Sequence, residues 1–222
     1  MKTLTASFFL LVALYSFKVN AIVPSIADGH AMYKTRQSAI GDTTPSVLGS
    51  QIIDFSLKNV DNATISLNQF KDAKGFIIVF TCNHCPFAKL YSQRYNDLNK
   101  KYKPLGVPLI AINSMDSLVY EEESFEAMQE HARAEKFNFP YLQDDSQCVG
   151  KNFNAEHTPQ AYVIWKEKDL WVIKYSGSID DNGAHQKKAT PFIALAVNAL
   201  LKNKPVTKPN TESFGCRIFY RK

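Results

Sequence analysis

A short apolar segment that leads directly into a pair of cysteines constrains the fold of this chain more than any other feature. Residues 75–80, Gly-Phe-Ile-Ile-Val-Phe, are rich in β-branched and aromatic types, which is typical of a strand buried on both faces. Cys82 and Cys85 follow with Cys-x-x-Cys spacing, and Pro86 suits a first helical turn because its ring fixes φ near the helical value. The sequence therefore predicts a strand, a thiol pair and a helix in succession.

The position of the thiol pair predicts its chemistry. Apolar side chains recur at helical spacing after Pro86, at Phe87, Leu90, Tyr91, Tyr95, Leu98 and Tyr102. Cys82 is expected at the N-terminus of this helix, where unpaired amides and the positive end of the dipole lower the pKa of a thiol. Cys85 is predicted to resolve a mixed disulfide formed at Cys82, and His84 to donate a hydrogen bond or positive charge to the Cys82 sulfur. We interpret Cys82, Cys85 and His84 as the catalytic residues of a thiol-disulfide exchange centre.

Two simpler interpretations of the pair stay open from the residues alone. The pair could form a structural disulfide, or it could supply half of a zinc site. A tetrahedral zinc site takes four ligands, usually from two such pairs, and the chain has no second Cys-x-x-Cys. We therefore expect no metal and no other cofactor.

The first 21 residues have the pattern of a cleaved export signal. Lys2 precedes an apolar stretch over residues 8–17, and Val19-Asn20-Ala21 supplies small residues at the cleavage position. The apolar stretch is too short to span a bilayer comfortably, so no stable membrane insertion is expected. All the cysteines lie beyond the leader. We predict an exported protein, periplasmic or secreted, in an oxidising environment where disulfides persist.

Length and charge narrow the class of protein further. A chain of 222 residues, less its leader, is enough for one core of moderate size and one domain. The formal net charge is +5, and Lys2 and Lys18 of the leader contribute to it. The other lysines are scattered, with short clusters that indicate a solvated face, so no nucleic-acid partner is expected.

Strand and helix patterns alternate along the rest of the chain. Besides the strand at 75–80, the patterns predict strands at 52–57, 64–67, 107–112, 161–165 and 171–175, and helices at 86–102, 117–135, 146–153 and from 191 to before 205. This order predicts an α/β fold with a mixed central sheet covered by helices on both faces. The predicted domain spans residues 48–202, between an N-terminal extension (22–47) and a C-terminal tail (203–222).

Several motifs together resemble the thioredoxin superfamily, in its secreted, peroxiredoxin-like branch (redoxin, AhpC/TSA). The segments that carry the resemblance are residues 79–86 around the thiol pair, Ala111-Ile112-Asn113-Ser114, residues 139–142, His157-Thr158-Pro159, residues 177–182 and the tail motif at 214–218. The resemblance implies a thioredoxin-like fold. It also implies that Thr158-Pro159 is a cis-proline loop facing the thiols, whose Thr158 backbone pairs with an extended substrate strand. From the residues alone, a trans proline at a strand entrance is equally compatible.

The resemblance implies partners as well as a fold. The expected substrates are protein thiols or disulfides, and the expected electron source is a thioredoxin-type or membrane donor. Departures from the family pattern are visible at Thr81, where many members have tryptophan, and at Phe76 and Ala88, where members carry an acidic residue. The sequence therefore offers no obvious carboxylate to assist Cys85, and strong reductase activity is not expected.

Two alternative functions follow from the same residues. A thiol peroxidase would use Cys82 as the oxidised thiol and Cys85 as the resolving one. Val79 stands where peroxiredoxins have threonine or serine, and no proline lies between Gly75 and Cys82, so the peroxide-activating residues are missing. A copper chaperone would bind a cuprous ion through Cys82, Cys85 and a histidine such as His84 or His157, although such chaperones usually space their cysteines by three residues.

Two further groups of residues have more than one interpretation. Cys148 and Cys216 are interpreted either as a second disulfide that ties the tail to the domain, or as buried free thiols. Asp180, Asp181 and Asn182 either serve a site or, as the residue types favour, shape the turn after the last strand.

Overall fold

The computed structural model describes residues 47–222, whose central feature is a mixed eight-stranded sheet. Its strands, in chain order, are β1 (Gln51–Ile52), β2 (Ser56–Asn59), β3 (Thr64–Ser66), β4 (Gly75–Phe80), β5 (Leu109–Asn113), β6 (Tyr141–Gln143), β8 (Gln160–Glu167) and β9 (Leu170–Gly177). The order across the sheet is β1-β9-β8-β4-β5-β6-β2-β3. Strands β4, β5 and β6 run parallel, and the other neighbours are antiparallel.

Five α-helices pack around this sheet in the described part of the chain. They are α1 (Pro86–Lys89), α2 (Ser92–Tyr102), α3 (Phe125–Ala134), α4 (Cys148–Phe153) and α5 (Phe192–Leu201). Short 3-10 turns occur at Leu67–Gln69, Lys103–Leu105, Glu121–Glu123 and Gln186–Lys188. No helix within residues 47–222 is long and apolar enough to cross a membrane. The predicted leader and nearly all of the predicted extension (22–47) lie outside the described residues.

Strand β4 is buried on both faces, as its composition predicts. Phe76, Ile78 and Phe80 pack into one apolar core, and Ile77 and Val79 pack into a second core on the opposite face. Burying each such side chain contributes roughly 1.5–3 kcal/mol. Packing between the two cores fixes where β4 ends, and the thiol pair follows directly after that end.

One predicted element near the start of the domain, the strand at 52–57, is wrong in its boundaries. The predicted strand at 52–57 is two strands at opposite edges of the sheet, because β1 pairs with β9 whereas β2 pairs with β6 and β3. Between them Asp54 accepts a hydrogen bond of 2.8 Å from the Leu67 amide, which fixes the crossing. The hairpin of β2 with β3 and that of β8 with β9 are confirmed.

The predicted continuous helix after Pro86 is interrupted. The amides of Leu90 and Tyr91 bond to carbonyls three residues back, so one tight turn separates α1 from α2. Phe87 and Leu90 are therefore exposed, while Tyr91 and Tyr95 both enter the core. Burial of the two tyrosines explains why the chain tightens at this point.

The predicted helix at 117–135 also begins later than expected. Ser124 is the N-cap of α3 and accepts a hydrogen bond from the Ala127 amide. The glutamates before it form a separate 3-10 turn, and Glu123 is buried instead of lying on the first turn of a solvated helix.

The C-terminal segment adds a small second sheet beside the end of β4. Strand β7 (His157–Thr158) pairs antiparallel with β10 (Cys216–Arg217), with Cys216 opposite Thr158. Ile218 is buried, and its amide donates to the Glu156 carbonyl over 2.8 Å. This pairing brings the end of the chain to the thiol pair.

Candidate active site

The two thiols lie side by side at the end of β4, and both are buried. The Thr81 amide donates to the Ile112 carbonyl over 2.9 Å, which continues the pairing of β4 with β5 one residue beyond the strand. Cys85, and not Cys82, is the N-cap of α1. The sequence prediction that Cys82 occupies the helix N-terminus is therefore wrong by one turn, because the chain bends at residues 83–84 before the helix starts.

The loop that contains Thr158 and Pro159 faces both sulfurs. The peptide bond between Thr158 and Pro159 is cis. The Cys82 Sγ lies 3.0 Å from the Thr158 Oγ1, and the Cys85 Sγ lies 3.2 Å from the Thr158 carbonyl oxygen. Thr158 thus contacts both members of the pair and fixes their distance from this loop.

A buried carboxylate, Glu123, holds the loop between the cysteines. Its oxygens accept hydrogen bonds from the amides of Asn83 (3.0 Å) and His84 (2.9 Å), and from the Asn113 side chain (2.6 Å). The side chain is fully buried, so these donors replace the water it has lost. The sequence offered no obvious carboxylate to assist Cys85, and the buried one that the structure brings to the site approaches Cys82: Glu123 lies within 4.8 Å of the Cys82 sulfur.

His84 is bound to this carboxylate and not to a sulfur. Its Nδ1 lies 2.6 Å from the Glu123 Oε1, and its ring stacks on Tyr120 with the centroids 4.8 Å apart. About a quarter of the side chain is exposed (24%). The predicted hydrogen bond from His84 to Cys82 is absent among the described contacts, because the nitrogen nearest the site is already engaged.

The electrostatics of the pair place the negative charge on Cys85. Its pKa is lowered to about 4, first because the Cys82 thiol donates a hydrogen bond to it and, with smaller effect, because the Cys216 thiol and the Ala88 amide also donate. The pKa of Cys82 is raised by its hydrogen bond to Cys85, by burial and by the Glu123 charge. The sequence-based prediction has the opposite order; the largest cause of the difference is the interaction of the two sulfurs with each other, and the Glu123 charge near Cys82 adds to it.

A third thiol, that of Cys216, completes the cluster. Its side chain interacts with that of Cys85, and its backbone carbonyl accepts a hydrogen bond of 3.4 Å from the Thr158 hydroxyl. Cys216 is partly buried, whereas Cys148 is exposed and bonds only to the Ser146 carbonyl at 3.7 Å. Neither interpretation offered for Cys148 and Cys216 is confirmed, because both are free thiols and the tail cysteine approaches Cys85.

The acidic turn after β9 has a structural role. Asp180 is buried and accepts hydrogen bonds from Arg94 (2.6 Å) and from the Tyr91 hydroxyl (3.0 Å). Asn182 donates its amide to the same carboxylate, and Asp181 accepts from the Thr190 amide over 2.7 Å. These contacts tie α2 to the turn, in agreement with the turn-shaping interpretation.

The cluster also contains a group with the composition of a metal site. Cys82, His84 and Glu123 place a sulfur, a ring nitrogen and a carboxylate oxygen within 4.8 Å of one another. The Glu123 oxygens already accept hydrogen bonds from two backbone amides and two side chains. A metal would have to displace several of these donors, so the present geometry fits a positioning carboxylate better than a ligand.

Sequence reasoning identified four residues that the structure brings together: Cys82, Cys85, Thr158 and Pro159. It missed Glu123, whose signal was present in the motif at Asn113, the side chain that binds it. It also assigned no role to the tail motif at 214–218. The signal in that motif was Cys216 next to Gly215, a residue that allows close approach of the backbone.

Comparison with known proteins gives a family match over most of the domain. The family described as AhpC/TSA matches residues 48–181. No curated protein matches the chain.

Solved structures agree in fold. A hypothetical protein from Sinorhizobium meliloti is 30% identical, with a TM-score of 0.73 over 81% of this chain and 97% of its own. An uncharacterized conserved protein from Geobacillus kaustophilus is 35% identical, with a TM-score of 0.72 over 81% of this chain and 94% of its own. A putative thiol:disulfide interchange protein DsbE from Chlorobium tepidum is 14% identical, with a TM-score of 0.53 over 69% of this chain and 97% of its own. The predicted thioredoxin-like fold is confirmed.

Proposed function

The chain belongs to the AhpC/TSA family, and from that membership and the geometry of its thiols we propose that it is an exported thiol-disulfide oxidoreductase. Cys82 and Cys85 cycle between dithiol and disulfide, and the exchange partners are protein thiols. The observation that carries the proposal is the convergence of the two sulfurs on Thr158, which contacts Cys82 at 3.0 Å and Cys85 at 3.2 Å. Export rests on the leader pattern in residues 1–21 and is part of the proposal.

The direction of exchange follows from where the charge resides. Cys85 has the lowered pKa, so it is the better leaving group when the disulfide is attacked. A partner thiolate attacks the Cys82 sulfur, the bond to Cys85 breaks, and its electron pair stays on Cys85. A second partner thiolate then attacks the mixed disulfide and releases Cys82. Stabilising the reduced pair in this way makes its disulfide oxidising, so we propose that the protein donates disulfides.

The supporting residues position the pair and do not react. Glu123 holds the amides of Asn83 and His84, which fixes the bend between the two cysteines. Phe87 and Phe214, each nearly half exposed, meet edge to face with centroids 6.0 Å apart. Such an exposed aromatic pair beside the thiols supports a protein partner rather than a small solute.

The reduction potential of the Cys82–Cys85 pair tests this proposal. We expect a value well above that of thioredoxin, which is about −270 mV, when the protein is equilibrated with glutathione buffers. Cys148→Ser is the matched control, because that thiol is exposed and remote from the pair, and it should not change the potential. A potential near that of thioredoxin would contradict the direction, and failure of the two cysteines to form a disulfide would contradict the redox function itself.

Trapping separates the partner class from the alternatives. Cys85→Ala removes the sulfur that would displace the partner, so a mixed disulfide formed between a partner cysteine and Cys82 should remain attached. A double variant that also carries Cys82→Ser should trap nothing. Peroxide consumption that requires Cys82 and an added dithiol would favour the peroxidase alternative instead.

A further inference from the structure

We propose that Cys216 is a third redox thiol, and that the C-terminal strand holds it where it exchanges disulfides with Cys85. The inference rests on the proposed function, because the Cys82–Cys85 disulfide must form first. It is carried by the register of β10 on β7, by the contact of Cys216 with Cys85 and by the burial of the pair beneath the tail.

The strand pairing places Cys216 directly across from the residue that contacts both other thiols. Cys216 is the register partner of Thr158, whose carbonyl and hydroxyl oxygens contact Cys85 and Cys82 respectively. The pair of strands is the arrangement by which an extended peptide adds to an exposed edge, but here the added strand is part of the same chain. The tail thus occupies the position at Thr158 where a partner strand was predicted to bind.

The residues around Cys216 allow the tail to lie close to Thr158. Gly215 has φ +144°, and a methyl group there would collide with the Thr158 carbonyl oxygen. On either side, the Phe214 ring rests on Phe87, and the Ile218 side chain is buried. A residue without a side chain next to a cysteine lets the backbone come near enough for the thiol to contact Cys85.

The exchange balances without any added oxidant. In the oxidised pair, the Cys216 thiol loses its proton and the thiolate attacks the Cys85 sulfur. The bond between Cys85 and Cys216 forms, the bond between Cys82 and Cys85 breaks, and its electron pair goes to Cys82, which takes up a proton. One disulfide replaces another, and Cys82 becomes a free thiol.

The charges around Cys216 favour its activation in the oxidised protein. In the reduced state the pKa of Cys216 is raised to about 12, mainly by burial and, with smaller effect, by the interaction with the Cys85 side chain, the Cys85 charge and the Glu123 charge. The two contributions from Cys85 disappear once Cys85 is part of a disulfide, since that sulfur is then neutral. Cys216 is therefore a weak nucleophile while the pair is reduced and a stronger one after the pair is oxidised.

Disulfide mapping in the full-length protein tests the inference. Cys82→Ser should be equilibrated in a glutathione redox buffer, quenched with acid and digested without reduction for mass spectrometry. We expect a Cys85–Cys216 linkage that exceeds glutathionylated Cys85 by about a hundredfold at micromolar glutathione, because a tethered thiol acts at millimolar effective concentration or above. Adding Gly215→Ala should lower that linkage at least about tenfold, since the strand is lifted from Thr158. Adding Cys148→Ser should leave it unchanged.

Other outcomes separate this inference from the proposed function. If Cys82→Ser gives only glutathionylated Cys85 or a Cys148–Cys216 linkage, Cys216 is not a redox partner of Cys85. Because a variant can fold poorly, the unmodified protein is mapped in the same way, and it must contain both the Cys82–Cys85 and Cys85–Cys216 linkages. Cys216→Ser isolates the first pair: if it still forms the Cys82–Cys85 disulfide, the proposed function stands even when the inference fails.

Discussion

The thiol pair lies between two flanks that are held in different ways. On one flank, the Glu123 carboxylate is fully buried and accepts hydrogen bonds from the backbone and side chains of the loop between the cysteines. On the other, a two-residue strand of the tail pairs with another two-residue strand, and its neighbours Phe214 and Phe219 are nearly half and more than half exposed, respectively. The difference indicates that the bend at the thiols is part of the folded core, and we expect the tail that covers them to open more easily than this bend.

Glu123→Ala gives the largest effect, because it removes the rigid flank. The amides of Asn83 and His84 would lose their acceptor in a buried place, which costs about 3 kcal/mol or more in the free energy of unfolding. Chemical denaturation of the reduced protein measures this loss in the free energy of unfolding. Glu122→Ala is the matched control, since that neighbour is exposed and should change stability by less than about 0.5 kcal/mol. Equal losses in the two variants would show that the carboxylate does not hold the bend.

The pH dependence of the free energy of unfolding tests which of the two sulfurs carries the negative charge. The pKa of Cys85 is lowered from 9.0 to about 4, so its stabilising contribution is present above the unfolded value and is lost as pH falls through about 4. The pKa of Cys82 is raised, so its contribution is lost only as pH rises beyond the unfolded value of 9.0. Relative to the oxidised form, the reduced protein should therefore gain stability as pH rises from about 4 toward 9.0.

Thermal unfolding of both redox forms across this pH range measures that gain. The ultraviolet absorbance of the thiolate should disappear near the same acidic midpoint in the reduced protein and be absent in Cys85→Ser. If the difference in melting temperature between the reduced and oxidised forms stayed constant with pH, the negative charge would not reside on Cys85.

Tyr220→Phe gives the smallest effect on stability, because it loosens the removable flank. The Tyr220 hydroxyl donates to the Ala155 carbonyl over 2.6 Å, and its loss costs about 1 kcal/mol. Alkylation of Cys85 in the reduced protein should nevertheless become about fivefold faster if the tail opens locally. Phe219→Ala is the control. Phe219 is also in the tail and is 61% exposed, but its side chain makes no hydrogen bond. Loss of stability as large as that of Glu123→Ala would mean that the tail unfolds only with the whole protein.

The parts of the fold that sequence could predict are those with a local pattern. Residues 75–80 alternate between two cores, and the hairpin of β8 with β9 closes on the two-residue turn Lys168-Asp169, both with positive φ. The boundaries were predicted wrongly where they depend on a pairing strand that is distant along the chain. The predicted strand at 52–57 could not show from its own residues that its halves pair at opposite edges of the sheet.

The site was predictable to a similar extent. The Cys-x-x-Cys motif identifies Cys82 and Cys85 by spacing alone, and the resemblance adds Thr158 and Pro159. Glu123 lies 40 residues from Asn83 along the chain, and its run of glutamates is equally typical of a helix start. The prediction of a lowered pKa for Cys82 fails for the same reason, because only the folded chain shows that the helix begins after Cys85 and that Glu123 lies near Cys82.

The contact of Cys216 with Cys85 and of Cys85 with Cys82 makes an odd set of sulfurs within a single fold. Three such atoms cannot all pair with one another, so one of them stays a thiol whenever the cluster holds a single disulfide. That leftover sulfur is Cys82 or Cys216 depending on which bond has closed, and the two arrangements have the same mass and the same oxidation level. Counting free thiols in the oxidised protein cannot tell them apart, whereas mapping the bonds can.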